Sequence, residues 1–249
     1  PRYLAMIGQN DKALHVLDKI NTNTLFSRKV MSEILSSISD QTKTKLLAYG
    51  WKIILIGILL SVFQQFVGIN VALYYAPRIF ESMGAAKGDS MLQTIVMGLV
   101  NVAFTVLAIL TVDKWGRKPL LITGSIGMAI GMLAIAIMSY KNIIGIGTLV
   151  FIIIFTASFM MSWGPICWVY IAELFPNKIR GQAIAVAVAA QWMANYLISS
   201  TYPAMMKYSG AMTYGFYGVM AILSAWFVWK MVPETKGKSL EEIEKFWKK

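Results

Sequence analysis

Six stretches of this 249-residue chain contain no Asp, Glu, Lys or Arg: 53–77, 91–112, 119–140, 142–172, 181–206 and 208–229. Each exceeds the roughly 20 residues a helix needs to cross the hydrocarbon core of a bilayer. The chain is 57% hydrophobic and only 14% charged, whereas a soluble domain carries about a quarter charged residues. So much apolar sequence exceeds what one soluble core can bury, and lipid must cover the remainder. The expected class is all-α: a polytopic membrane protein of six spans. The stretch 142–172 is longer than a crossing requires, and its Gly145, Gly147 and Pro165 predict a loop entry and a late kink.

The charges that remain fix an orientation. If 1–52 is cytoplasmic, then so are 113–118, 173–180 and 230–249, and these four stretches hold 19 of the 23 basic residues. Arg78, Lys87, Lys141 and Lys207 fall on the other side. The positive-inside rule places both termini in the cytoplasm, at the cell (inner) membrane. The net charge of +11 therefore reports membrane topology rather than nucleic-acid binding, because it sits in short stretches between long uncharged runs. Cys167 and His15 are the only cysteine and histidine. That excludes an internal disulfide and argues against a zinc site, and no cofactor is expected. The chain begins at Pro1 with no apolar signal-peptide region, so a fragment or a processed product is expected.

The boundaries expected are a cytoplasmic helical linker over 1–50, the six-span bundle over 51–231 and a cytoplasmic helix over 232–249. Leu14, Leu17 and Ile20 fall on one helical face after Asn10 and Asp11, a plausible cap. Val30, Ile34 and Ile38 repeat the pattern, and His15 is an ordinary residue of the first soluble helix. Near the end, Ser239 and Glu242 have capping-box spacing. The acids that follow precede the lysines, in the order the helix dipole favours.

No acid or base lies inside a predicted span, but amides and indoles do. Gln64, Gln65 and Asn70 surround Gly68, Asn101 lies in the second span, and Trp168 follows Pro165 in the fourth. Gln191, Trp192 and Asn195 lie in the fifth, with Gln191 and Asn195 one turn apart. One reading is a site for a neutral polyol such as a sugar. Amides donate and accept without the desolvation cost of a buried charge, and indoles pack on the C–H faces of a sugar ring. The other is that these amides bond helix to helix. Both stay open on the residues alone. Gly124, Gly127 and Gly131 have the spacing of close helix packing. At the charged loops, Asp113, Arg117 and Lys118 occupy one turn and Glu173, Pro176 and Arg180 another. They are either simple anchors or partners across bundles.

DKWGRKP at 113–119, ELFPNKIRG at 173–181 and PETKG at 233–237 resemble signature loops of the sugar porters of the major facilitator superfamily. PRYL at 1–4, FQQFVGINVALYYAP at 63–77, SWGPICWV at 162–169 and VAAQW at 188–192 extend the resemblance over the whole chain, in order. It implies a six-helix bundle equal to the C-terminal half of the major facilitator fold. Its implied function is half of a transporter for a pentose (xylose-like) or hexose, a proton-coupled symporter working by alternating access against an N-terminal six-span half. The partners implied are a monosaccharide, protons in the complete transporter, the bilayer and that first half, with no nucleic acid. The resemblance assigns sugar contacts to Gln64, Gln65, Asn70, Tyr74, Asn101, Trp168, Gln191 and Trp192. It assigns a gating network to Asp113, Arg117, Glu173 and Arg180. In proton-coupled relatives the coupling carboxylate lies in the first bundle, so coupling is not legible in this half. A membrane sugar sensor and an inactive fragment are the alternatives. An intramembrane enzyme ranks last, because the spans hold no triad, dyad or metal set.

Overall fold

In the computed structural model, which describes residues 1–21, 24–43, 46–75, 87–143, 146–237 and 243, every regular element is a helix. Six stretches are long and apolar enough to cross a membrane: Trp51–Tyr74, Met91–Trp115, Arg117–Tyr140, Gly147–Leu174, Arg180–Tyr208 and Gly210–Met231. They coincide with the six uncharged runs, and the chain is a multi-pass membrane protein with the all-α fold expected.

Two of the spans are discontinuous. The first is a helix over Trp51–Phe66 and a second over Ile69–Tyr74, parted at Val67 and Gly68. Gly68 has φ of +90°, and a Cβ there would lie 2.8 Å from Cγ of Tyr217. A side chain would meet both the left-handed backbone and the ring, so glycine is required. The fourth span parts at Ser162, between helices Ile146–Met161 and Trp163–Leu174. The kink expected at Pro165 is thus realised three residues upstream. Pro165 has no N–H for the Met161 carbonyl, and its ring crowds the preceding turn. Ser162 steadies the break from both sides: its Oγ donates to the Ser158 carbonyl at 2.6 Å, and its own carbonyl accepts from Ile166 N at 2.9 Å.

Lipid removes the hydrophobic drive between helices, so close van der Waals approach has to hold the bundle. The third span provides it, packed chiefly between the sixth span and the outer helix of the fourth. A Cβ at Gly124 would lie 2.4 Å from Ser162 Cβ, at Gly127 2.9 Å from Ser158 Cβ, and at Gly131 2.8 Å from the Phe151 carbonyl. The small-residue row read from the sequence is thus the seam between the third and fourth spans. Trp163 is fully buried here, its Nε1 donating to the Leu121 carbonyl at 3.0 Å and to Ser125 Oγ at 2.7 Å. The first span is 61% buried within the bundle but the second only 11%, so the second span runs along the outside of this half.

Before the spans, helices Arg2–Met6, Asn10–Ile20 and Thr24–Lys43 gather around Ala5, Ala13, Leu17 and Met31. Leu14, Val30 and Ile34 pack on that cluster as their periodicity predicts, but Ile20 is exposed. The second helix starts at Asn10 with Gln9 at the cap position and no side-chain cap. The cap expected from Asn10 and Asp11 is therefore not formed. The capping-box spacing of Ser239 and Glu242 and the lysines after it lie outside the described residues. Ile243 is buried.

Candidate functional site

The two helix breaks come together. Gln64, in the last turn before Gly68, donates through Nε2 to the Trp163 carbonyl at 3.0 Å. Its Oε1 accepts from Gln65 Nε2 at 3.2 Å and from Gln191 Nε2 of the fifth span. Beyond the break, Asn70 Nδ2 donates to Gln65 Oε1 at 2.6 Å and to Asn195 Oδ1 at 3.0 Å, and Asn195 also accepts from Ser199 Oγ at 3.1 Å. One neutral amide network thus joins both halves of the first span to the fourth and fifth spans.

That network forms one wall of a cleft of about 360 Å³, at the small-molecule end of binding-site sizes. Gln64, Gln65, Asn70 and Gln191 supply its amides, and Ile69, Leu73, Phe159, Met160, Pro165 and Trp168 its apolar surface, with Gly164 and Thr105 completing it. Among the described residues the lining holds no ionisable side chain. Such a surface suits an uncharged ligand with several hydroxyls and apolar ring faces, and repels an ion that would have to shed its water.

The residues expected to contact sugar divide into three groups. Gln64, Gln65, Asn70, Trp168 and Gln191 line the cleft. Tyr74 and Trp192 are 58% and 62% exposed and are absent from the described lining, which includes their neighbours Leu73 and Gln191. Asn101 is buried, and its Oδ1 has no partner among the described residues. Thr105, Phe159 and Met160 line the cleft without having been singled out. The only signal for Thr105 was its place one helical turn from Asn101.

At the charged end, Arg117 bridges Asp113 at 3.1 Å and Glu173 at 2.8 Å, with Asp113 exposed and the other two largely covered. Arg180 does not join this pair. Its Nε donates to the Phe175 carbonyl at 3.1 Å, and among the described residues it enters no ion pair. Glu234, which the sequence reading passed over, takes the central place. Its carboxylate accepts from the main-chain N–H of Arg117 at 3.1 Å and of Lys118 at 3.0 Å, capping the third span where Gly116 opens the helix. An anion is stabilised there by unpaired amides and the helix dipole. Thr235 Oγ1 donates to Glu173 at 2.6 Å, and Tyr170 to the Pro233 carbonyl at 2.7 Å. The 233–236 segment therefore closes over both charged loops.

A family model described as sugar (and other) transporter matches residues 1–247. Over 99% of its length the chain is 51% identical to the D-xylose-proton symporter of Escherichia coli K12, of which it covers 52%, the C-terminal half. It is 36% identical over its full length to the glucose facilitated diffusion protein of Zymomonas mobilis, covering 54% of that protein. A solved structure of a proton:xylose symporter bound to 6-bromo-6-deoxy-D-glucose superposes with a TM-score of 0.82 at 48% identity. That match covers 99% of this chain and 54% of the other. The chain spans about half the length of the relatives it matches.

Proposed function

The chain belongs to the sugar transporter family, and on that premise we propose that it is the C-terminal half of a monosaccharide transporter that works by alternating access. The observation that carries this reading is the uncharged cleft in which Gln64, Gln65, Asn70 and Gln191 meet beside Trp168. A sugar exchanges its hydration for amide hydrogen bonds and sets a ring face on the indole. Relatives of this chain are transporters, and we read it as a transporter half rather than an enzyme. It lies in the cell inner membrane with both termini cytoplasmic, as its basic loops require.

The faces of this half that meet the first bundle are, in this reading, its least buried ones. The second and fifth spans are the least buried of the six. A first six-span half covers them and completes the site. That half also supplies the proton-coupling carboxylate in this reading, since among the described residues no ionisable side chain lines the cleft. Its similarity to both a proton symporter and a facilitated-diffusion protein fits a sugar half that serves either mode. Reconstitution in vesicles tests the reading. We expect no xylose or glucose uptake from this chain alone and saturable uptake when it is joined to the N-terminal half of the E. coli symporter. Uptake by the chain alone, or none by the joined protein, counts against it.

A further inference from the structure

The cleft contains one hydroxyl that neither the amide network nor the family resemblance uses. Thr105 is the only residue the second span contributes to the described lining. Its Oγ1 donates to the Asn101 carbonyl at 2.8 Å. A hydroxyl has one proton and a carbonyl only accepts, so the direction of that bond is fixed. Thr105 therefore offers the cleft only lone pairs and a methyl group.

Other threonines in the spans make the same backward bond, among them Thr111 to Leu107 and Thr201 to Leu197. Those satisfy a hydroxyl in an apolar setting and are not among the described lining of this cleft. At Thr105 the same bond has a consequence for a ligand. The amides Gln64, Gln65, Asn70 and Gln191 each carry N–H groups, so a sugar hydroxyl that accepts from one of them still has its own proton to place. An acceptor with no proton to offer takes it. From a sugar that lacks that hydroxyl, the same lone pairs receive nothing.

The geometry points to Thr105 as a specificity-determining residue of the cleft: it accepts the proton of one ring hydroxyl, and its methyl limits how closely the ring approaches. This rests on the reading of the cleft as a sugar site. The test uses this chain joined to the N-terminal half of the E. coli symporter, purified, with affinities measured for D-xylose and its singly deoxygenated analogues. Thr105→Val keeps the shape and removes the acceptor; Thr105→Ser keeps the acceptor. We expect Thr105→Val to weaken D-xylose about 10-fold, Thr105→Ser to stay within about 2-fold, and one deoxy analogue to bind parent and Thr105→Val alike. Thr105→Ala against Thr105→Ser makes the same comparison if the valine variant folds poorly. Parent-like affinities of Thr105→Val for every sugar overturn the assignment, as does an equal loss for all of them. A parent protein that binds neither D-xylose nor D-glucose overturns the sugar reading itself and Thr105 with it.

Discussion

The side-chain amide of Gln64 donates to the main-chain carbonyl of Trp163 at 3.0 Å, tying the first span just before its break to the fourth just after its own. Irregular backbone at membrane depth persists only where protein or a cavity satisfies it. Here each break lies beside the cleft and beside the other break. The features that interrupt the helices, Gly68 and Pro165, are thus the ones that bring amides, an indole and a small cavity to one place.

Gln64 is the hub of the amide network, so its loss should have two effects. Gln64→Ala removes the acceptor used by Gln65 and Gln191 and the donor to Trp163. Each buried group left unpaired costs about 1–3 kcal/mol, so both melting temperature and sugar affinity should fall. Gln191→Ala strips only one donor from Gln64, which Gln65 still serves. Its melting temperature should hold while affinity falls about 5- to 150-fold, the equivalent of about 1–3 kcal/mol. Both quantities are read on the same purified variants of this chain joined to the N-terminal half of the E. coli symporter. Lost stability with parental affinity at both positions would make the amides helix-to-helix bonds and nothing more.

The spans were legible because lipid imposes length and apolarity on any crossing helix, and loop charge follows from the same constraint. Which side of each helix faces the cleft was not legible. Gln191 and Trp192 are neighbours of equally plausible chemistry, yet a turn of about 100° per residue puts one inside and the other 62% exposed. Tyr74 is likewise 58% exposed beside Leu73, which lines the cleft. At the charged end, the family resemblance grouped Arg180 with Arg117 and Glu173, whereas Glu234 and Thr235 reach that place through the tertiary fold.

Two glycines of the third span should respond differently to substitution. Gly131 faces the Phe151 carbonyl, main chain that cannot move aside, so Gly131→Ala has to part the third and fourth spans. Gly127 faces the side chain of Ser158. Gly127→Ala should therefore be rescued by Ser158→Gly, whereas no single side-chain change beside Gly131 should rescue Gly131→Ala. Losses of about 1–3 kcal/mol are expected for the unrescued variants, measured by thermal unfolding in detergent. Failure of Ser158→Gly to restore Gly127→Ala would mean that the seam is set elsewhere.

Topology is open to direct labelling, because the single native cysteine, Cys167, is buried and gives little background. Lys141 lies at the end of the bundle away from the loop charges, and Lys236 in the segment that covers them. Lys141→Cys should react with an impermeant thiol reagent in intact cells, and Lys236→Cys only after permeabilisation. The opposite pattern would reverse the orientation drawn from the basic loops.

The charged end should act as one coupled unit. Arg117 holds Glu173 through its guanidinium, and its main-chain N–H is held by Glu234. Thr235, next to Glu234, holds the other oxygen of Glu173. Removing either carboxylate charge therefore disturbs the seat of the other. Glu173→Gln should cost about 1 kcal/mol, since the pair is partly solvated. Glu234→Gln should cost about as much, from the lost interaction with the helix N-terminus. Both losses should shrink at high salt. Because the two share Thr235 and Arg117, the double variant should fall short of the sum of the single losses by about 0.5 kcal/mol or more. In the complete transporter, either variant should loosen this end and raise the reactivity of a cysteine placed at Lys114, whose carbonyl Lys236 now holds. Strict additivity together with unchanged reactivity would return these residues to the role of simple membrane anchors.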